Sequence, residues 1–429
     1  MTERNVMKTV TSFFLFLAVG IAAAGGTYQD TSLVPPSLGF ETPVRIYLPE
    51  GYDPGGTEDY PVIYWLHGWY GSQTSSSSIT KIVLDDLIST QQIPPVIVVK
   101  PNAFCMPYGG SNWANSILYG NYEDYVTEDL VDFIEDSYHA ISDPDFRCIA
   151  GHSMGGSGSM KIALSHHDLY RAVASHAGFH DHMVALPFYV PNVLEESPES
   201  SPPYTYDWGN GDYTDALIMT CGANSPNLGA PDSIDFILDP NGDVVDSVYA
   251  LWELNNPSHM VKSVPLPLDL AIFFDCGTED NWEGIYECNC SYSDTLTDLG
   301  VPHEYQSLEG VGHGLNLSRM TEAFLFLGGA MTGVEGGEHY AESAYLDYPC
   351  PNPFSASTVI SFSLPSQETV SIEVFDLSGR LVEKLTFREF MAGRHSVGMN
   401  LQGMCPGVYL VRLATTTGSM TRRCLLVGD

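Results

Sequence analysis

Positive charge is the scarcest ingredient of this sequence. Its 429 residues hold 17 Lys and Arg against 53 Asp and Glu, a formal net charge of −36. A field of that sign repels phosphates and anionic lipid headgroups, which argues against a nucleic-acid-binding protein. Long apolar runs are equally scarce. Only residues 13–24 come near one, and no later segment reaches the ~18 consecutive apolar residues that read as a membrane span. The nine cysteines include no Cys-x-x-Cys pair, so neither a zinc ribbon nor a thioredoxin-type site is indicated. Nine is an odd number, so at least one thiol is free or intermolecular, and a pairing such as Cys350 with Cys405 is not decided by spacing. Metal-ligand patterns are thin as well. His180 and His182 in "FHDHM" lack a third ligand and read as loop residues. "DPNGD" lacks the bidentate Glu of a calcium loop and reads as a hairpin turn. Neither a metal nor a cofactor is expected.

What is present is core material: 44% of the residues are hydrophobic and only 16% are charged, the balance of a globular chain. The N-terminus reads as a secretory signal peptide over residues 1–24. Arg4 and Lys8 precede the apolar run, and Ala22-Ala23-Ala24 is the cleavage site; a retained anchor is the alternative. From residue 40 to 327 short β-branched runs alternate with helical patterns. "PVIYWLHG", "PVIVVKP", "FRCIAGHS" and "RAVASHAG" suit buried strands, and "YEDYVTEDLVDFIEDSYH" has apolar side chains at helical spacing. That alternation predicts a largely parallel sheet with helices on both faces across residues 25–331. Residues 179–267, rich in Pro, Gly, Asp and Tyr, break the rhythm and suggest a cap-like insertion. After a linker at 332–348 the period changes to two, predicting a β-sandwich of about seven short strands over 349–429. Residues 350–429 hold seven Lys/Arg and six Asp/Glu, so the acidity belongs to the first domain.

Gly151-His152-Ser153-Met154-Gly155 lies between a strand pattern and a helix pattern. In that G-x-S-x-G setting the serine occupies a tight strand-to-helix turn, and its neighbours two positions away must be small because strand and helix approach closely. The turn lifts Oγ above the sheet and aims a helix N-terminus at it, so the Met154 N–H is positioned to receive an oxyanion. Serine needs a histidine base oriented by a carboxylate, and in this architecture the order is Ser, then acid, then His. His313 in "GVGHG" is the candidate base. "FFDCGTEDNW" offers Asp275, Glu279 and Asp280; Asp275 closes a strand, Asp280 lies in the loop beyond it, and Asp280 is the candidate acid. "YWLHGWYGS" ends a strand in His-Gly ahead of the nucleophile, where the second oxyanion donor belongs: the N–H of Trp69, or of Tyr70.

These motifs, together with "PVRIYLPEGY" and "HDLYRAVASHAG", resemble the esterase family of α/β-hydrolases that includes feruloyl esterases, S-formylglutathione hydrolase and the mycolyltransferases. The resemblance implies an α/β-hydrolase fold with Ser153, Asp280 and His313 as its triad. It points to a secreted serine carboxylesterase acting on a small or polysaccharide-linked ester, such as a feruloyl or acetyl ester. Acyl transfer to a sugar or lipid hydroxyl, or a non-catalytic binding protein keeping the fold, are the alternatives. Trp69, Tyr70 and Trp113 are candidates for an aromatic acyl site. The last 80 residues, from "YPCPNPFSASTVISFSLP" onward, resemble the type A sorting domain of type IX secretion, an immunoglobulin-like sandwich, with Cys350 intruding in its opening. That resemblance implies the type IX secretion machinery as partner, passage through the periplasm, and release or surface attachment.

Overall fold

The computed structural model describes residues 25–332, 344–346, 349, 354–364, 366–391, 393–416 and 418–427. Residues 1–24, expected to be a signal peptide, most of the expected linker and Cys350 lie outside the described residues.

Eight strands form the main sheet: β1 Thr27–Leu33, β2 Thr42–Leu48, β3 Val62–Leu66, β4 Ile97–Pro101, β5 Arg147–His152, β6 Ala172–His176, β7 Ala271–Gly277 and β8 Glu304–Leu308. Their spatial order is β1-β2-β4-β3-β5-β6-β7-β8. The first two pairings are antiparallel and the rest are parallel. Strands β3, β4 and β6 are buried along their whole length, as strands covered on both faces must be, which is why they appear in sequence as unbroken apolar runs.

The helices are α1 Ser77–Ser89, α2 Leu130–Ser137, α3 Met154–Ser165, α4 His182–Glu196, α5 Asp212–Asn224, α6 Asp246–Trp252, α7 Ile285–Asp298 and α8 Leu317–Met331. Alternate residues of β3 separate the two layers of core. Ile63 and Trp65 pack with Leu84 and Leu87 of α1 and Phe324 of α8. Val62, Tyr64 and Leu66 pack with α2, α3 and α7 through Ile134, Met160 and Tyr292.

The segment 179–267 carries α4, α5 and α6 and has an apolar cluster of its own, including Leu186, Tyr189, Val193, Leu217, Ile218 and Trp252. Helix α4 keeps Pro187 and Pro191 inside it. An interior proline forfeits a backbone hydrogen bond at a cost of about 3 kcal/mol, so packing rather than propensity sustains this helix.

The C-terminal module consists of two antiparallel sheets. Tyr345–Leu346, Ser357–Leu364 and Gly393–Asn400 make one; Leu381–Phe390, Glu368–Asp376, Gly407–Ala414 and Ser419–Leu426 make the other. Ile360 and Phe362 from the first sheet meet Val370, Ile372, Val374, Val411 and Leu413 from the second in a shared core. Cys105, Cys148, Cys221, Cys276, Cys288, Cys405 and Cys424 are free thiols.

Candidate active site

Strand β5 runs into α3 through Ser153, whose backbone is held at φ 57° and ψ −120°. Such a conformation costs a non-glycine residue of order 1–3 kcal/mol and persists only where the surroundings impose it. They do so by close approach. A Cβ on Gly155 would sit 2.1 Å from the Leu66 carbonyl oxygen, and one on Gly151 would sit 2.2 Å from that of Gly155. The Ser153 N–H donates to the His176 carbonyl at 2.8 Å, which locks the turn to β6. Met154 then opens α3, so its N–H belongs to the first helical turn, which has no intrahelical acceptor.

Two loops from the far side of the sheet complete the group. His313 Nε2 lies 2.8 Å from Ser153 Oγ, and its Nδ1 lies 2.8 and 3.0 Å from the two carboxylate oxygens of Asp280. Asp280 follows β7 and His313 follows β8. The loops are tied together: Glu279 N–H donates to the Val311 carbonyl, and Gly310 N–H donates to the Thr278 hydroxyl. A Cβ on Gly277 would come within 1.9 Å of the Val311 oxygen, so only glycine lets the base loop lie so close to the end of β7. Asp275 points elsewhere. Its carboxylate is fully buried, 2.7 Å from His176 Nδ1 and 2.5 Å from Arg319 Nη2. Burial alone would raise its pKa, but the facing His176 and the Arg319 cation outweigh burial and hold the carboxyl below the usual range.

The turn after β3 carries the two candidates for a second donor. Gly71 N–H bonds to the Gly68 carbonyl at 2.9 Å, and Tyr70, at φ 54°, takes the left-handed position. The Tyr70 N–H is engaged by the Gly109 carbonyl at 3.0 Å, so Trp69 is the better placed of the two candidates. His67 braces this turn. Its Nε2 accepts from the Ala103 N–H at 2.9 Å, which leaves the proton on Nδ1, 2.8 Å from the Gly68 oxygen. That bond pattern belongs to neutral imidazole, and burial pushes the His67 pKa down to about 4.

Beside Ser153 opens a cavity of about 90 Å³. Ser153, Ser157 and Lys161 line its floor at helical spacing, so it follows α3 for about 12 Å. Its walls are largely apolar, with Phe179, Leu186, Tyr189, Leu217, Trp252 and Trp282 among them.

This architecture agrees with comparison to known families. Residues 36–288 match the family described as "Putative esterase". The chain belongs to that esterase family. Residues 350–427 match the secretion system C-terminal sorting domain, the address of type IX export, which makes this a secreted or cell-surface protein. Among the described residues no helix is long and apolar enough to cross a membrane. The chain is 27% identical over 147 residues to an esterase of Mycobacterium tuberculosis, covering 33% of this chain and 30% of that protein. It is 30% identical over 158 residues to an endo-1,4-beta-xylanase/feruloyl esterase of Xylanibacter ruminicola, covering 34% and 20% respectively. The chain thus spans under a third of the length of these relatives. A solved ferulic acid esterase superposes with a TM-score of 0.51 at 19% identity, covering 71% of this chain and 98% of that one, a likeness of fold.

Within this esterase-family site, the structure brings Ser153, His313, Asp280, Trp69 and Met154 together. It does not bring Tyr70 and Trp113 into the cavity wall. Tyr70 is 54% exposed, its ring tilted by 33° against that of Trp69 with centroids 4.6 Å apart. Trp113 is fully buried against Gly158 of α3, and its indole N–H donates to the His67 carbonyl at 3.1 Å, so it supports the Trp69 turn from below. Instead the aromatic wall beside the base is Trp282, whose ring lies 6.3 Å from that of His313. Its sequence signal was its place two residues after Asp280. His182, dismissed in sequence as a loop residue, opens α4 and lines the cavity.

Proposed function

We propose that this protein is a serine carboxylesterase working through an acyl-enzyme. The observation that carries the reading is the continuous hydrogen-bonded relay Ser153 Oγ, His313 Nε2, His313 Nδ1, Asp280, with both links at 2.8 Å. Ser153 Oγ attacks the ester carbonyl carbon while His313 Nε2 takes its proton, and Asp280 stabilises the imidazolium. The carbonyl oxygen, now carrying the negative charge, is received by the Trp69 and Met154 N–H groups. Collapse of the tetrahedral intermediate breaks the bond to the alcohol oxygen, which His313 protonates as it leaves. Water then repeats the sequence on the acyl-enzyme and releases the carboxylic acid and free Ser153.

The cavity supports an acyl portion larger than acetyl. It extends along two turns of α3 and presents aromatic and aliphatic walls, which suit a flat, apolar acyl group such as a hydroxycinnamoyl. A relative whose name includes feruloyl esterase points the same way. The test is labelling with a fluorophosphonate, mass mapping of the modified residue, and turnover of acetyl, aryl and feruloyl esters. Label on Ser153 and a preference for aryl acyl groups are expected. Folded Ser153→Ala protein that still turns over ester would refute the mechanism, and a preference for acetyl esters would refute the acyl assignment.

A further inference from the structure

We propose that His152, the residue preceding the nucleophile, is a positioning residue that clamps the main chain of the catalytic base. This inference rests on the triad reading of the site. His313 is carried by a segment with glycines at 310, 312 and 314, the most freely rotating backbone a chain can offer. A Cβ on Gly310 or Gly314 would find no atom within 4 Å, so no packed side chain confines these two glycines. The bonds from Glu279 to Val311 and from Gly310 to Thr278 hold the segment before His313, but they do not fix the main chain of His313 itself, and a misplacement of 1 Å is enough to cost roughly a hundredfold in rate.

Two side chains supply that restraint. His152 Nε2 lies 2.7 Å from the His313 carbonyl oxygen, so the His152 imidazole donates there. Arg319 from α8 adds Nη1 at 2.9 Å from the Gly314 oxygen and 3.4 Å from those of Gly312 and His313. His313 is therefore gripped at both ends. Its side chain reaches Ser153 Oγ, and its main-chain oxygen reaches the side chain of the residue covalently joined to Ser153. Nucleophile and base form a closed ring of one hydrogen-bonded pair at each end, so displacement of one carries the other.

The charges of the clamp suit its task. A base that becomes imidazolium in the transition state is opposed by any uncompensated cation nearby. Arg319 is compensated by the buried Asp275 carboxylate, 2.5 Å away. His152 is neutral: burial, reinforced by the neighbouring His313 and Arg319, pushes its pKa down to about 3. It therefore offers an N–H to the His313 carbonyl without placing a second positive charge beside the ring, 4.9 Å away, that has to gain one.

The experiment compares His152→Leu and His152→Ala, which remove the donor, with His152→Gln, which retains an N–H on a side chain of similar reach. Readouts are kcat and KM separately on an aryl ester, the rate of fluorophosphonate labelling at Ser153, and the urea unfolding midpoint. The donor-less variants are expected to lose roughly 10- to 100-fold in kcat with KM within threefold, and labelling should slow in parallel. His152→Gln is expected to recover most of both rates. Should His152→Leu fail to fold, His152→Ala, which leaves room for water, takes its place. Equal losses in His152→Gln and the donor-less variants, a loss confined to KM, or no loss at all would overturn the clamp. Wild-type protein that no fluorophosphonate labels at Ser153 would instead sink the triad reading itself, so the two failures are distinguishable.

Discussion

Gly155 is where fold and site press hardest on each other, and replacing it with alanine tests both. The added Cβ would lie 2.1 Å from the Leu66 oxygen and 2.7 Å from that of His67, where ordinary contact begins at 3.4 Å. The nearer deficit is about 1.3 Å. Both atoms are backbone, so no rotamer change relieves the overlap; the end of β3 and the start of α3 must move apart. Overpacking of this kind costs up to about 3 kcal/mol, against which the better helix propensity of alanine returns about 1 kcal/mol. Function should suffer more than stability. His67 leads directly into Gly68 and Trp69, so the displaced strand end carries the proposed oxyanion donor at Trp69 away from that at Met154, and losing one such donor typically costs 10²–10³-fold in kcat. Gly155→Ala is expected to unfold about 2 kcal/mol more easily in urea and to lose at least roughly a hundredfold in kcat. Gly55→Ala is the control, since the nearest atom to its Cβ position is 3.6 Å away on the Asp53 side chain, and it should stay within a few-fold of wild type. Gly155→Ala with kcat within threefold of wild type would refute the argument.

Three further outcomes are expected. Asp280→Asn should lower kcat by about 10³–10⁴-fold with little loss of stability. Asp275→Asn, which strands the buried Arg319, should instead cost about 3–5 kcal/mol of stability, and the reverse pattern by kinetics and urea titration would exchange the two roles. Stability should fall on acidification. Burial lowers His67 to about 4 and His180 to about 3, so below the unfolded value of 6.5 the unfolded chain binds protons that the folded one refuses. From pH 7 to 5 each contributes about 2 kcal/mol of loss, opposed in part by Asp294, whose pKa burial raises; an unchanged urea midpoint would contradict the neutral histidines. Finally, a chain ending at Met331 should keep ester turnover within a few-fold yet remain in the periplasm of a type IX host, as judged by activity in medium and cell fractions; normal export would argue against the sorting role.

Much of this site could be read from sequence because its constraints are local. Gly151 and Gly155 flank Ser153 at distances that only a strand-to-helix turn requires, and β3, β4, β5 and β6 are apolar runs because both their faces are covered. The insertion was harder to read because its helices violate local rules. Helix α4 contains two prolines, and α5 buries Thr214, Asp215, Leu217, Ile218 and Cys221, so it shows no amphipathic stripe. Strand β1, "TYQDTSL", is an edge strand with most of its side chains exposed and so lacks an apolar pattern. The orientation of Trp113 could not be read for a different reason: an aromatic residue near the site can face the cavity or the core, and the His67 carbonyl to which its indole donates is 46 residues away.

The residues proposed to react stand in the turn and loops that follow β5, β7 and β8, whereas most of the cavity wall comes from α4, α5 and the residues around them. Reactivity and selectivity are consequently inherited on separate pieces of chain. Substitutions at Leu186, Tyr189 or Leu217 can widen, shorten or re-line the compartment while Ser153, His313 and Asp280 keep their mutual geometry. A lineage carrying this scaffold can change its diet by rewriting about ninety residues of wall and leaving the engine beneath untouched.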